Sequence, residues 1–243
     1  MSETIWMYWE GPQPAFISLC AQTVRAHNSN VVTLDRAGFD RLFTEDRDIE
    51  IDALALNHKS DFIRAYLLKH YGGLYVDADC IVMRDLSPVL DLARRHEFVG
   101  YREPQGYMSC NFMASAAGGA VIREHYSRVA ATLRGRRELQ WLDLASVPMN
   151  AAVAALPGRS HELPTLMVMP LCWSESQQLC VARQDEDHAR HFQTDAYCYM
   201  LSNNTIRARD QTRILCYMPE AHLLSSRFFI SYLFRKAFEQ GGA

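Results

Sequence analysis

A chain of 243 residues, 49% hydrophobic and 22% charged, can bury a sizeable core and reads as an ordinary soluble globule. A formal net charge of -3, from 25 basic and 28 acidic residues, gives no electrostatic footprint for nucleic acid, so that class of partner is set aside. No run reaches the roughly 18 apolar residues of a membrane span, and Met1 to Met7 lacks a basic stretch leading into an apolar one, so a cytoplasmic location is expected.

The seven cysteines (Cys20, Cys80, Cys110, Cys172, Cys180, Cys198, Cys216) are odd in number, scattered and mostly set in apolar runs such as Leu215-Cys216-Tyr217. Buried thiols in a reducing compartment are expected. The absence of any Cys-x-x-Cys pair argues against a structural zinc or a thioredoxin-like site.

Ile5 to Trp9 reads as a buried strand ended by Gly11-Pro12, Pro14 to His27 as a helix with Pro14 in its first turn, and Asn30 to Leu34 as a second strand. That order opens a parallel α/β sheet, in which ligands gather at the carboxyl ends of strands. Residues 35 to 56 show no clear period and are read as one or two short helices. From Asn57 to Tyr71 a helix is expected: Ile63, Tyr66, Leu67 and His70 form one stripe, and Asn57, Asp61, Arg64 and Leu68 another, with Asp61 and Arg64 three apart. Gly72-Gly73 supplies the left-handed stop. Leu74-Tyr75-Val76 is a short buried strand, and the alternation of strand side chains then sets Asp77 and Asp79 on one side.

Cys80 to Met83 continues extended, and Ser87 to Ala93 is a helix with Ser87 as cap and Pro88 in the first turn. Strands are expected at Glu97 to Tyr101, Ser109 to Ala114, Leu166 to Met169 and Ala196 to Leu201, and helices at Gly119 to Leu133 and Val147 to Leu156. Ser225 to Phe238 reads as a capped helix dense in aromatics, which packs on the body or lies against a membrane. No repeat or linker marks a second domain, so residues 1–243 are taken as one.

An isolated Asp-x-Asp is usually a solvated turn. Here the pair follows an apolar strand, where two uncompensated carboxylates would repel each other and raise a pKa, and a bound cation resolves that cost. Hard oxygen ligands at so few positions suit Mg2+ or Mn2+, with phosphate oxygens and water completing the shell. Such a cation stabilises the charge that develops on a departing diphosphate. Arg64 is placed to pair with Asp61 or with a substrate.

The order Lys59-Ser-Asp-Phe-Ile-Arg64, then Tyr71-Gly-Gly-Leu-Tyr75-Val-Asp77-Ala-Asp79, resembles the signature of glycosyltransferases with a DXD-containing sugar-binding region. These include capsular-polysaccharide and lipopolysaccharide transferases, the yeast initiating mannosyltransferase and, more distantly, the clostridial glucosylating toxins. Ile5-Trp-Met-Tyr-Trp9-Glu-Gly11-Pro12 is similar to that family's first strand, and the likeness covers residues 5 to 34 and 57 to 86.

The resemblance implies a GT-A fold, an α/β domain with a mostly parallel central sheet flanked by helices. It implies a hexosyltransferase that uses a nucleotide-diphosphate-sugar, a UDP-sugar ahead of a GDP-sugar, with Mn2+ or Mg2+. The acceptor would be a glycan or lipid-linked glycan, made in polysaccharide biosynthesis, with peripheral membrane contact through the C-terminal helix. Trp9 would lie against the base, Asp61 and Arg64 would contact the donor sugar and its phosphates, and Tyr75 would lie near the nucleotide. Asp77 would face the ribose and sugar or reach the metal through water, and Asp79 would bind the metal; Asp77, Asp79 and Arg64 are the catalytic set. Core packing is the competing reading for Trp9 and Tyr75.

Family members add a metal or phosphate ligand from a C-terminal loop, often a histidine or a polar residue beside a tryptophan. Here the last strand runs into Leu201-Ser-Asn203-Asn204-Thr205, so Asn203 or Asn204 is the candidate, against a plain Asn-Asn turn. Arg207, Arg209 and Arg213 bind the diphosphate or are solvated. The family retains anomeric configuration; Glu103, Asp143 and Glu175 are candidate nucleophiles that spacing does not separate, and front-face substitution is favoured. His188 and His191, three apart in an acidic run, read as a solvated segment before a metal site. Two other readings of the whole chain stay open: a non-catalytic nucleotide- or glycan-binding relative, and a metal-dependent diphosphate hydrolase.

Overall fold

All four residues of β1 (Ile5–Tyr8) are buried, as in a central strand covered on both faces. A computed structural model describes residues 3–135 and 138–242 and divides the chain into two compact units. The first comprises Met1–Glu10, Asn30–Val76 and Ser87–Leu163, the second Gly11–Ser29, Asp77–Leu86 and Pro164–Ala243.

The first unit is built on a six-stranded sheet. In spatial order its strands are β2 (Val31–Leu34), β1, β3 (Gly73–Val76), β6 (Phe112–Ser115), β5 (Phe98–Tyr101) and β7 (Ser160–Leu163). Three of the five pairings are parallel; β6 runs antiparallel to both its neighbours. Ile5 stands level with Val31 on one side and Leu74 on the other. This is the expected mostly parallel α/β sheet.

Helix α3 (Leu56–Tyr71) packs on the sheet and on α5 (Ala120–Gly135). The sequence stripes describe it incompletely, because His58, Lys59, Asp61 and Arg64 are buried along with Phe62, Ile63, Tyr66 and Leu67. Its aromatic face is locked edge-to-face, Phe43 against Phe62 at 5.7 Å and against Tyr66 at 5.1 Å, a geometry that adds roughly 1 kcal/mol per pair beyond the area buried. The helix stops at Gly72 (φ 64°), and Gly73 (φ 101°) runs so close to β1 that a Cβ there would sit 2.3 Å from the Thr4 carbonyl oxygen. Only glycine fits that approach.

In the second unit α1 (Ala15–His27) packs on β4 (Cys80–Val82), which pairs antiparallel with β8 (Cys198–Met200). The Thr23 hydroxyl, buried, accepts from the Val82 amide at 3.0 Å and donates to the Cys20 carbonyl at 2.7 Å. Helix α11 (Phe229–Gly241) lies on α1 and buries Phe229, Ile230, Tyr232, Leu233 and Phe234. Of the aromatics considered for a membrane surface, Phe229, Tyr232 and Phe234 are therefore core residues, and Phe228 and Phe238 are half-buried.

Three local expectations are corrected, and one strand was missed. Leu166 to Met169 is no strand: Thr165–Met167 is a single 3-10 turn after Pro164, closed by the Val168 amide on Thr165. The C-terminal helix begins at Phe229 and not Ser225, because a short helix, Glu220–Ser225, precedes it and Ser226 bonds Ser231 at 2.6 Å. Strand β7, Ser-His-Glu-Leu, is an edge strand too polar to read as one. Finally, β3 ends at Val76 and residues 78 and 79 form a turn before β4, so strand alternation does not set the directions of Asp77 and Asp79.

Candidate functional site

In the first unit the polar residues of α3 form a buried ionic group. Arg64 Nη2 lies 3.2 Å from Asp61 Oδ1, with both side chains 8% exposed. The pair, read from sequence as two residues three apart on one helix stripe, is thus interior. Arg64 Nε also donates to the Ser60 carbonyl at 3.3 Å and Nη2 to Ser60 Oγ at 3.2 Å, while Ser60 Oγ meets the Tyr75 hydroxyl at 3.1 Å. The guanidinium carbon sits 5.2 Å from the Tyr75 ring centroid. Tyr75 is fully buried beneath it, so its ring and hydroxyl hold Ser60 and Arg64 in place. Burial pushes the Asp61 carboxyl above its ordinary range, against the lowering effect of Arg64 and His58.

A second buried cation stands on the same helix. Lys59 Nζ bonds both oxygens of Glu10, at 3.1 and 3.0 Å, and lies 3.7 Å from Asp52, which also receives Arg36. Glu10 follows Trp9 at the end of β1 and takes a 2.6 Å bond from the Tyr8 hydroxyl. Burial opposes its ionisation, but the bonds from Tyr8 and Lys59 outweigh it and lower its pKa. Trp9 itself is half-buried, its amide donating to the Leu34 carbonyl at 2.9 Å. Sequence reasoning passed over Lys59 and Glu10, although both adjoin residues it selected.

His125 on α5 was also missed. It is fully buried, neither ring nitrogen has a hydrogen-bond partner, and burial, with Arg64 nearby, drops its pKa to about 3. The fold holds it neutral, whereas the unfolded chain takes up a proton below about pH 6.5. Its contribution is therefore present above that value and lost as the pH falls from there toward 3, at no more than about 1.4 kcal/mol per pH unit. His125→Phe is expected to flatten the acid limb of the stability curve; urea titrations of both proteins between about pH 7 and 4 measure it. Equal slopes would contradict a neutral buried imidazole.

In the second unit, the Asp79 carbonyl accepts from the Leu201 amide at 3.0 Å and Oδ2 from the amide of Asn203, the first residue of α8 (Asn203–Ala208). Ser202, at φ 60°, makes the turn into that helix. The Asn203 Oδ1 is buried without a partner, an orphan acceptor that costs about 1–3 kcal/mol unless a ligand meets it. Asn204 is exposed. Among the described residues no group of three or more His, Cys, Asp or Glu could hold a metal. The Asp79 carboxylate and the Asn203 side-chain oxygen are hard donors, which together with the Asp77 carboxylate would suit a hard cation that keeps several of its waters.

The remaining candidates are spoken for or solvated. His188 is a core residue, its Nε2 2.9 Å from the Arg227 carbonyl and its ring against Phe229, while His191 is exposed. Arg209 is bonded to the Ser174 carbonyl, Ser176 and Gln177; Arg207 and Arg213 are exposed. A second Asp-x-Asp, Asp46-Arg47-Asp48, went unremarked in the sequence. Arg134 takes both of its carboxylates, at 2.7 and 2.6 Å, and the Tyr126 hydroxyl bonds Asp46 at 2.6 Å. It is a structural ion cluster.

Residues 13–96 match the family described as glycosyltransferase sugar-binding region containing DXD motif, and Asp77-Ala-Asp79 lies within them. No curated protein matches the chain. A glycosyltransferase involved in the glycosylation of the major capsid of PBCV-1 has a similar structure, with a TM-score of 0.51 and 12% identity, over 88% of this chain and 100% of that one. PaToxG glycosyltransferase gives 0.49 at 15% identity over 98% and 86%. The apo form of GlyE from Streptococcus pneumoniae TIGR4 gives 0.45 at 12% over 67% of this chain and 45% of its own, so the chain spans less than half of that protein. At such identity the PBCV-1 likeness speaks for fold alone, an α/β fold of the GT-A type. By sequence over residues 13–96 and by its α/β fold, the chain is similar to the glycosyltransferases that carry a DXD-containing sugar-binding region.

Proposed function

We propose that this glycosyltransferase is a metal-dependent hexosyltransferase, moving a sugar from a nucleotide-diphosphate-sugar to a hydroxyl of a glycan or lipid-linked glycan with retention of configuration. A UDP-sugar is preferred to a GDP-sugar, the work belongs to polysaccharide biosynthesis at the cytoplasmic side, and residues 1–243 act as one glycosyltransferase domain. No helix among the described residues is long and apolar enough to cross a membrane.

The observation that supports this reading best is the unpartnered Asn203 Oδ1 on the residue whose amide holds Asp79. Asp79, Asp77 and Asn203 would hold Mn2+ or Mg2+; Asn204, being exposed, is the weaker choice. The bound cation supplies Lewis-acid stabilisation of the diphosphate leaving group. Asp61 and Arg64 bind the donor sugar and its phosphates, and Arg64, braced by Ser60 and Tyr75, meets them in a fixed orientation with little entropy to lose. Trp9 lies against the base. Donor phosphate assists removal of the acceptor proton in front-face substitution.

The test is a panel of UDP- and GDP-sugars incubated with metal-free protein, with and without added Mn2+ or Mg2+, reading nucleotide release. Release that depends on the cation and stops with EDTA is expected. No release and no thermal shift with any donor would overturn the proposal.

A further inference from the structure

Helices α5 and α6 (Ser146–Ala155) of the first unit pack together around a surface cavity of about 240 Å³, lined by Arg128, Thr132, Asp143, Val147 and Pro148 with two alanines. The room exists because Ala131 and Ala151 stand where larger residues would close it. Its polar groups are set in advance. The Arg128 guanidinium is tied to Glu124 at 2.7 Å, and Asp143 accepts from the Gln140 amide at 3.0 Å.

Two large apolar side chains stand open on the same segment, Trp141 at 59% and Val147 at 54% exposure. Trp141 is not loosely held: Gln140, next to it, accepts through its carbonyl at 3.1 Å from His58 Nε2, and His58 is the buried α3 residue one turn before Asp61. The platform is thereby fastened to the helix that carries the ionic group.

We infer that this cavity, with Trp141 two residues before its lining residue Asp143, binds an uncharged sugar residue of the acceptor glycan. A guanidinium already paired with Glu124 and a carboxylate in one lining leave little net attraction for free phosphate or ammonium, yet offer donors and an acceptor to a neutral polyhydroxyl ring. The volume falls below the roughly 300–1,000 Å³ of ordinary small-molecule sites, which suits one monosaccharide unit and is too small for a nucleotide-sugar. An exposed indole adds an apolar face with a polar edge. Calling the sugar an acceptor rests on the transferase reading above; the binding itself does not.

Saturation-transfer NMR on the full chain, with the methyl glycosides of glucose, galactose, mannose and N-acetylglucosamine as probes, tests this without donor or metal. At least one glycoside is expected to bind, and Trp141→Ala and Ala151→Phe, the second filling the cavity, are each expected to weaken it about tenfold or more. Trp141 is mostly exposed, so its variant retains the fold, which a melting curve verifies. No binding to the unmodified chain, or unchanged binding in both variants, would overturn the inference. A chain that binds glycosides but turns over no nucleotide-sugar would sink the transferase reading alone.

Discussion

Asp79→Ala is expected to lower metal-stimulated turnover of the nucleotide-sugar donor by at least about a hundredfold, since the cation's stabilisation of leaving-group charge is worth several kcal/mol and each 1.4 kcal/mol is tenfold. The backbone around Asp79 keeps the carbonyl bond from Leu201 and the β4–β8 pairing, while the bond from the Asn203 amide goes. That bond is worth about 1 kcal/mol. The variant should therefore melt close to the parent while losing Mn2+ affinity, which the electron paramagnetic resonance signal of free Mn2+ reports independently of turnover. Full Mn2+ binding by the variant would remove Asp79 from the metal site. Asn203→Ala takes away an acceptor that has no protein partner, so a loss of Mn2+ affinity there would mark Asn203 as the third ligand.

Arg64→Met is expected to cost about 3–5 kcal/mol of stability, the usual penalty for removing one member of a buried ion pair. In a chain of this size that corresponds to a melting temperature lower by roughly 6–20 °C. The reason is Asp61, whose carboxyl is already pushed up by burial and is ionised chiefly through Arg64 and His58. With Arg64 gone its folded pKa rises further. A carboxyl with a raised folded pKa stabilises the fold at low pH and loses that contribution as the pH rises through its folded value, so the deficit of Arg64→Met should shrink in acid. Adding Asp61→Asn should restore part of the loss at neutral pH, because the buried charge disappears; the double-mutant cycle measures the coupling. A loss below about 1 kcal/mol would mean that the pair is solvated in solution.

Much of the segment proposed to bind the donor was readable from local chemistry. The helix from Asn57 to Tyr71, the double glycine and the strand after it each follow from periodicity or backbone freedom within a few residues, and α3, Gly72 and β3 match them to within one residue. Lys59 and Glu10 stood in plain view but carried no local sign of their bond, which links positions 49 apart. The burial of Asp61 and Arg64 was equally hidden, because a polar helix face looks the same whether water or another element covers it.

The chain's order of residues determined its α/β class, the glycosyltransferase resemblance and the segment that carries it, since all three rest on patterns of period two or 3.6 and on motif spacing. Only tertiary structure decided what each acidic pair meets. Asp46-Arg47-Asp48 and Asp77-Ala-Asp79 are alike as tripeptides, yet Arg134, from 86 residues downstream of Asp48, neutralises the first. The second gains an asparagine from 124 residues beyond Asp79 whose side-chain oxygen stays unpartnered. A carboxylate's role depends on which charge or dipole the fold brings to it, and neither partner leaves a trace in the residues beside it.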